Sequence, residues 1–106
     1  MSRWKNRFKN EKQFEREVRR LLRTREDLVL LPKIESSQEP GWPDVIFALW
    51  GSFYAIELKM PGKKLRKTQE RKIEELRKKG FSVFVLYPAD YTLDNMVKIL
   101  SLGGTE

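Results

Sequence analysis

Residues Pro40–Met60 read PGWPDVIFALWGSFYAIELKM. Two apolar runs, DVIFAL and FYAIELKM, are separated by Trp50-Gly51-Ser52. Both are strand-sized and rich in β-branched and aromatic residues, so they read as a hairpin of two strands. Their near-continuous apolar character means that both faces of the sheet are covered. Three charges interrupt them: Asp44, Glu57 and Lys59. A bare carboxylate or ammonium on a covered strand is costly unless something pairs with it, so these three residues require partners.

Side chains alternate along a strand, which puts Glu57 and Lys59 on one face and Ile56 and Leu58 on the other. A two-residue turn at Trp50-Gly51 pairs residues whose numbers sum to 101 and sets Asp44 opposite Glu57. That turn needs positive φ at both centres, which Trp resists. The expectation is therefore a loop of three or four residues, with the partner of Asp44 shifted towards Leu58 and strand twist keeping the carboxylates near. Pro43 disfavours the helical region at Trp42 and leads stiffly into Asp44.

Outward from the hairpin, the pattern gives five more elements. Phe14, Val18, Leu21 and Leu22 recur at helical spacing, which predicts an amphipathic helix over 11–23. LVLLPKI (28–34) predicts a first strand, with Pro32 suited to an edge or bulge. ESSQEPGWP is a loop. A helix begins at Leu65 or Thr68 and runs to Lys79, with Ile73 and Leu76 inward and Gly80 as its stop. SVFVLYP (82–88) is a buried strand, and YTLDNMVKIL (91–100) a short last helix. The order is α-β-β-β-α-β-α. The strand-helix-strand passage from 53 to 88 predicts a parallel pair beside the antiparallel hairpin, hence an α/β fold with a mixed four-stranded sheet flanked by helices.

Composition narrows the chemistry. The 106 residues, 40% apolar, suit one domain over 1–106. Residues 1–10 read as a basic arm and 101–106 as a flexible tail. No apolar run approaches the ~20 residues of a membrane span. MSRWKNRFKN lacks the apolar core of a secretory signal. With no cysteine there is no disulfide, thiolate nucleophile or zinc finger, which fits the cytoplasm of a bacterial or phage-infected host cell. With no histidine, Ser-His-Asp catalysis and histidine-based nucleases are excluded. A metal here rests on carboxylates, carbonyls and water, a donor set for Mg²⁺, Mn²⁺ or Ca²⁺.

The net charge is +7, and the cations cluster. Residues 1–25 hold ten against three acids, and residues 61–79 hold nine against three. Such clusters are the footprint of a protein that binds a polyanion, most often nucleic acid. Two carboxylates brought together at Asp44 and Glu57 repel unless a cation lies between them, and a divalent metal is the economical answer. Lys59, on the same face, supplies positive charge to orient a water or stabilise a pentavalent phosphorus transition state.

PGWPD followed by IELKM resembles the PD-(D/E)xK nuclease superfamily. GWPD-x12-ELK, then KKLRKTQ, then KKGFSVFVL, resembles more closely its VRR-NUC group of virus-type replication-repair nucleases, and is similar to archaeal Holliday-junction resolvases. The likeness covers residues 11–88 and implies a restriction-endonuclease-like core. It implies a Mg²⁺ or Mn²⁺ site on Asp44, Glu57 and the Leu58 carbonyl, completed by a first-helix glutamate. Glu15 matches that position, and Glu11, one turn earlier on the same rim, is the alternative. It also implies roles for Lys59 and for Gln69, early in the helix after the hairpin. Thr68 stands directly before Gln69, whereas many members carry their Ser or Thr cap two to four residues earlier.

The combined expectation is a metal-dependent DNA endonuclease leaving a 5′-phosphate and a 3′-hydroxyl, non-specific or selective for branched DNA. Lys63, Lys64, Arg66 and Lys67 would grip the phosphate backbone. Trp42 either stacks on a base or packs under its loop. A two-fold homodimer is a further expectation from the resolvase likeness. The rival readings are an inactive nucleic-acid-binding module and a basic partner-binding domain of a phage or mobile-element assembly.

Overall fold

The computed structural model describes residues 7–34 and 39–101. Most of the expected basic arm, residues 1–6, lies outside the described residues, as do 35–38 of the loop and 102–106 of the tail. The elements are α1 (Glu11–Arg23), β1 (Leu28–Leu30), β2 (Val45–Leu49), β3 (Ser52–Leu58), α2 (Lys67–Lys78), β4 (Ser82–Leu86), a 3₁₀ turn (Pro88–Asp90) and α3 (Leu93–Ser101). The expected order is observed. The strands form one sheet in the order β1-β2-β3-β4, with β1-β2 and β2-β3 antiparallel and β3-β4 parallel. Among the described residues no helix is long and apolar enough to cross a membrane.

Both faces are covered, as the continuous runs require. Val45, Phe47, Leu49, Tyr54, Ile56 and Leu58 point towards α1 and α3 and are buried with Phe14, Val18, Leu22, Met96 and Ile99. Ile46, Ala55 and Val83 point the other way, under Ile73 and Leu76 of α2. Strand alternation then places Glu57 and Lys59 on the α2 side.

The hairpin corrects one expectation. Leu49 pairs with Ser52 and Val45 with Ile56, so the loop has two residues, not three or four. Trp50 and Gly51 have φ of 50° and 82°, the positive pair that a type I′ turn needs. The strain at Trp50 costs about 1 kcal/mol. It is offset by a turn whose twist matches the strands, and the exposed indole lies under the Arg25 guanidinium, 5.4 Å from its centroid. Continuing the register by one residue sets Asp44 across from Glu57.

The first strand stops at Leu30, short of the expected 28–34. Leu31 still donates to Ile46 O at 2.9 Å, but Pro32 has no N–H with which to continue the ladder. At the N-terminal end, Phe8 stacks on Phe14 at 4.9 Å and is buried in the core, and the exposed Arg7 donates to Tyr91 O at 2.9 Å.

Candidate functional site

Asp44 precedes β2, Glu57 is the penultimate residue of β3, and Lys59 follows that strand's last residue. Glu57 is 1% exposed and Lys59 8%. The Lys59 ammonium lies 3.9 Å from the Glu57 carboxylate. The Leu58 N–H donates to Asp44 Oδ2 at 2.9 Å, which pins one oxygen of that carboxylate to the partner strand.

Gln69 is buried in the first turn of α2. Its amide nitrogen donates to Glu57 Oε2 at 2.9 Å, and its carbonyl oxygen accepts the Arg66 N–H at 2.8 Å. α2 starts at Lys67 without a Ser or Thr cap. Gln69 itself satisfies the backbone donor of the cap residue, so the missing cap and the inward glutamine are one arrangement.

From the other side comes α1. The Asn10 side chain accepts the Gln13 N–H at 2.9 Å and starts the helix one residue before Glu11. Oxygens of Glu11, Asp44 and Glu57 all lie within 4.8 Å of one another. Oxygen ligands on opposite sides of one Mg²⁺ or Ca²⁺ are roughly 4–5 Å apart, so the group has the span of a divalent site. Glu15 is not in this group. It accepts from Arg19 at 2.9 Å and from Lys33 at 2.9 Å, and Lys33 also approaches Asp44 Oδ1 at 3.7 Å.

Electrostatics separates these acids. Burial, reinforced by Asp44, pushes Glu57 up to about 8. Burial raises Asp44 too, against the opposing Leu58 N–H, and burial and Asp44 raise Glu11. For Glu15, burial also disfavours the charge, but the bonds from Lys33 and Arg19 outweigh it and hold the carboxyl below its ordinary value. Three acids are thus crowded and undercompensated, while the fourth is already satisfied by cations. An added divalent charge relieves the first set.

The group opens into a cleft of about 260 Å³ lined by Glu11, Lys33, Trp42, Asp44, Lys59, Arg66 and Gln69, among others. The loop carrying Trp42 is tied to α2. The Lys72 ammonium sits 4.7 Å from the Trp42 ring centroid and pairs with Glu39 and, at 3.1 Å, with Glu75. Trp42 also packs against the apolar cluster under α2. Lys63 and Lys64 are exposed after the Pro61-Gly62 break, and Arg66 and Lys67 are exposed at the start of α2. Lys33 and Arg19 were not among the expected site residues.

No curated protein and no solved structure matches this chain. The family model described as the VRR-NUC domain matches residues 2–90. With its α/β core and mixed four-stranded sheet, consistent with a nuclease-like core of that kind, the chain belongs to the VRR-NUC domain family.

Proposed function

We propose that this nuclease-family domain is a divalent-metal-dependent DNA endonuclease, with Glu11, Asp44 and Glu57 holding Mg²⁺ or Mn²⁺. The observation that carries this reading is the convergence of three undercompensated carboxylates beside a buried lysine and a buried glutamine. The Leu58 carbonyl is a further ligand by family resemblance. Bound there, the ion would lower the pKa of a water and neutralise charge on the phosphate.

The protein groups do the rest. Lys59, 3.9 Å from the Glu57 carboxylate, presents positive charge to the oxygen that gains negative charge as water attacks phosphorus. Gln69 fixes one oxygen of Glu57 and leaves the other for the site. The P–O3′ bond breaks, the 3′ oxygen takes up a proton, and the products are a 5′-phosphate and a 3′-hydroxyl. Lys63, Lys64, Arg66 and Lys67 carry the phosphate backbone, and the part of Trp42 that lines the cleft meets a base or the fork of branched DNA.

The test is cleavage of end-labelled linear duplex, single strand, flap and four-way junction, each with Mg²⁺, Mn²⁺, Ca²⁺ or chelator. Internal cuts that require Mg²⁺ or Mn²⁺ support the reading. Absence of cleavage on every substrate, with DNA binding retained at low salt, favours an inactive binding module. Absence of both favours a partner-binding domain.

A further inference from the structure

Arg19 is a mostly buried guanidinium, with 12% of its side chain exposed, and it makes three hydrogen bonds to three different segments. Nε donates to Glu15 at 2.9 Å within α1. One terminal nitrogen donates to the backbone carbonyl of Asp44 at 2.8 Å, and the other to that of Leu31 at 3.3 Å. Leu31 and Asp44 flank the place where the β1-β2 ladder ends: the last paired residues are Leu30 and Phe47, and Leu31 makes one more bond, to Ile46. Two carbonyls at the open end of the ladder are therefore taken by one planar fork, whose rigid donor spacing the point charge of a lysine does not reproduce.

The fork matters because of what else α1 carries. Glu11 lies eight residues before Arg19, about 12 Å along the same helix. Phe14, Val18 and Leu22 fix which face α1 turns to the sheet, but apolar burial is non-directional and a hydrogen bond is not. The Arg19–Asp44 bond registers α1 against the main chain of the residue whose carboxylate meets Glu11. Glu15, drawn to Arg19 and Lys33, aims the fork.

Resting on the metal-site reading above, we propose that Arg19 is the positioning residue of the centre: it sets the spacing of Glu11 and Asp44, and Glu15 is its counter-ion rather than a metal ligand. Outer partners of this kind cost 10–100-fold in metal affinity when lost, as an order of magnitude.

The test is Mn²⁺ affinity, measured by the electron paramagnetic resonance signal of free Mn²⁺, well below the melting temperature of each variant. Wild type, Arg19→Lys, Glu15→Gln and Glu11→Gln are compared. Arg19→Lys is expected to remain folded and to bind Mn²⁺ about tenfold or more weakly, because one ammonium nitrogen does not reproduce the fixed spacing of three guanidinium donors on Glu15, Leu31 and Asp44. Glu15→Gln retains an acceptor for Arg19, so it should lose less affinity than Glu11→Gln. Wild-type affinity in folded Arg19→Lys overturns the proposal. If Arg19→Lys does not fold, the glutamate pair decides: a loss in Glu15→Gln as large as in Glu11→Gln makes Glu15 a ligand and also overturns it. If the wild type itself binds no Mn²⁺, the metal reading fails, and this inference with it.

Discussion

The Gln69 side-chain amide bridges helix and strand: it donates to Glu57 Oε2 at 2.9 Å while accepting the Arg66 N–H at 2.8 Å. One side chain thereby caps α2 and orients a buried carboxylate, so the helix start and the acidic group are built together. Gln69→Ala should lower single-turnover cleavage by roughly 10–100-fold at saturating Mg²⁺ and destabilise the fold by about 1 kcal/mol. Rate and melting temperature measured on one preparation check both. An unchanged rate would remove Gln69 from the site.

Lys59 and the exposed lysines should separate by readout. Lys59 is buried 3.9 Å from Glu57, so Lys59→Ala should lose turnover yet keep DNA affinity in Ca²⁺. Lys63→Ala with Lys64→Ala should instead weaken binding and lower the salt slope by roughly 0.9 per lost phosphate contact. A Lys59→Ala protein that binds several-fold worse but cuts bound DNA at the wild-type rate would make Lys59 a phosphate clamp.

Without metal, the acidic group should make stability depend on pH. Burial and Asp44 raise Glu57 to about 8 in the folded state, against its ordinary value of 4.5. Between these values the folded chain holds a proton that the unfolded chain releases, so stability is highest at the acid end and falls as pH rises towards 8. In chelator, Glu57→Gln should therefore melt above wild type at pH 8, and the gap should shrink at pH 5. Parallel curves for the two proteins from pH 5 to 8 would contradict the crowding on which the metal argument rests.

Gly41 has φ of +93°, and a Cβ there would stand 2.5 Å from the Thr68 carbonyl oxygen in α2. That oxygen is backbone and cannot swing aside, so Gly41→Ala must push the loop away from the helix. A loss of about 1–3 kcal/mol in stability is expected, together with a smaller Mn²⁺-induced rise in melting temperature, because Asp44 lies three residues on. Differential scanning fluorimetry with and without Mn²⁺ measures both.

Much of this was legible in the chain because periodicity encodes faces. The spacing of Phe14, Val18 and Leu22 marked the buried stripe of α1, and the two continuous apolar runs marked a sheet covered on both sides. At the turn, the local preference of Trp points to a longer loop, whereas strand twist favours two residues at Trp50-Gly51 and prevails. Periodicity was also too coarse to rank Glu11 against Glu15, since both lie on one rim of the helix. What separates them is largely non-local: Lys33 joins the i,i+4 partner Arg19 in compensating Glu15, whereas Glu11 faces Asp44. The β1-β2 register, continued past Pro32, sets Lys33 across from Asp44, but only once the strand pairing is known.

The central claim is that Asp44, with Glu11 and Glu57, holds the ion that cuts DNA. Its most direct test is single-turnover cleavage of labelled DNA by wild type and Asp44→Asn at matched, saturating Mn²⁺, with folding checked by metal-free melting. Wild type is expected to cut internally, and the variant to be slower by about a thousandfold or more, about 4 kcal/mol of transition-state stabilisation. Cleavage by folded Asp44→Asn at the wild-type rate would contradict the account.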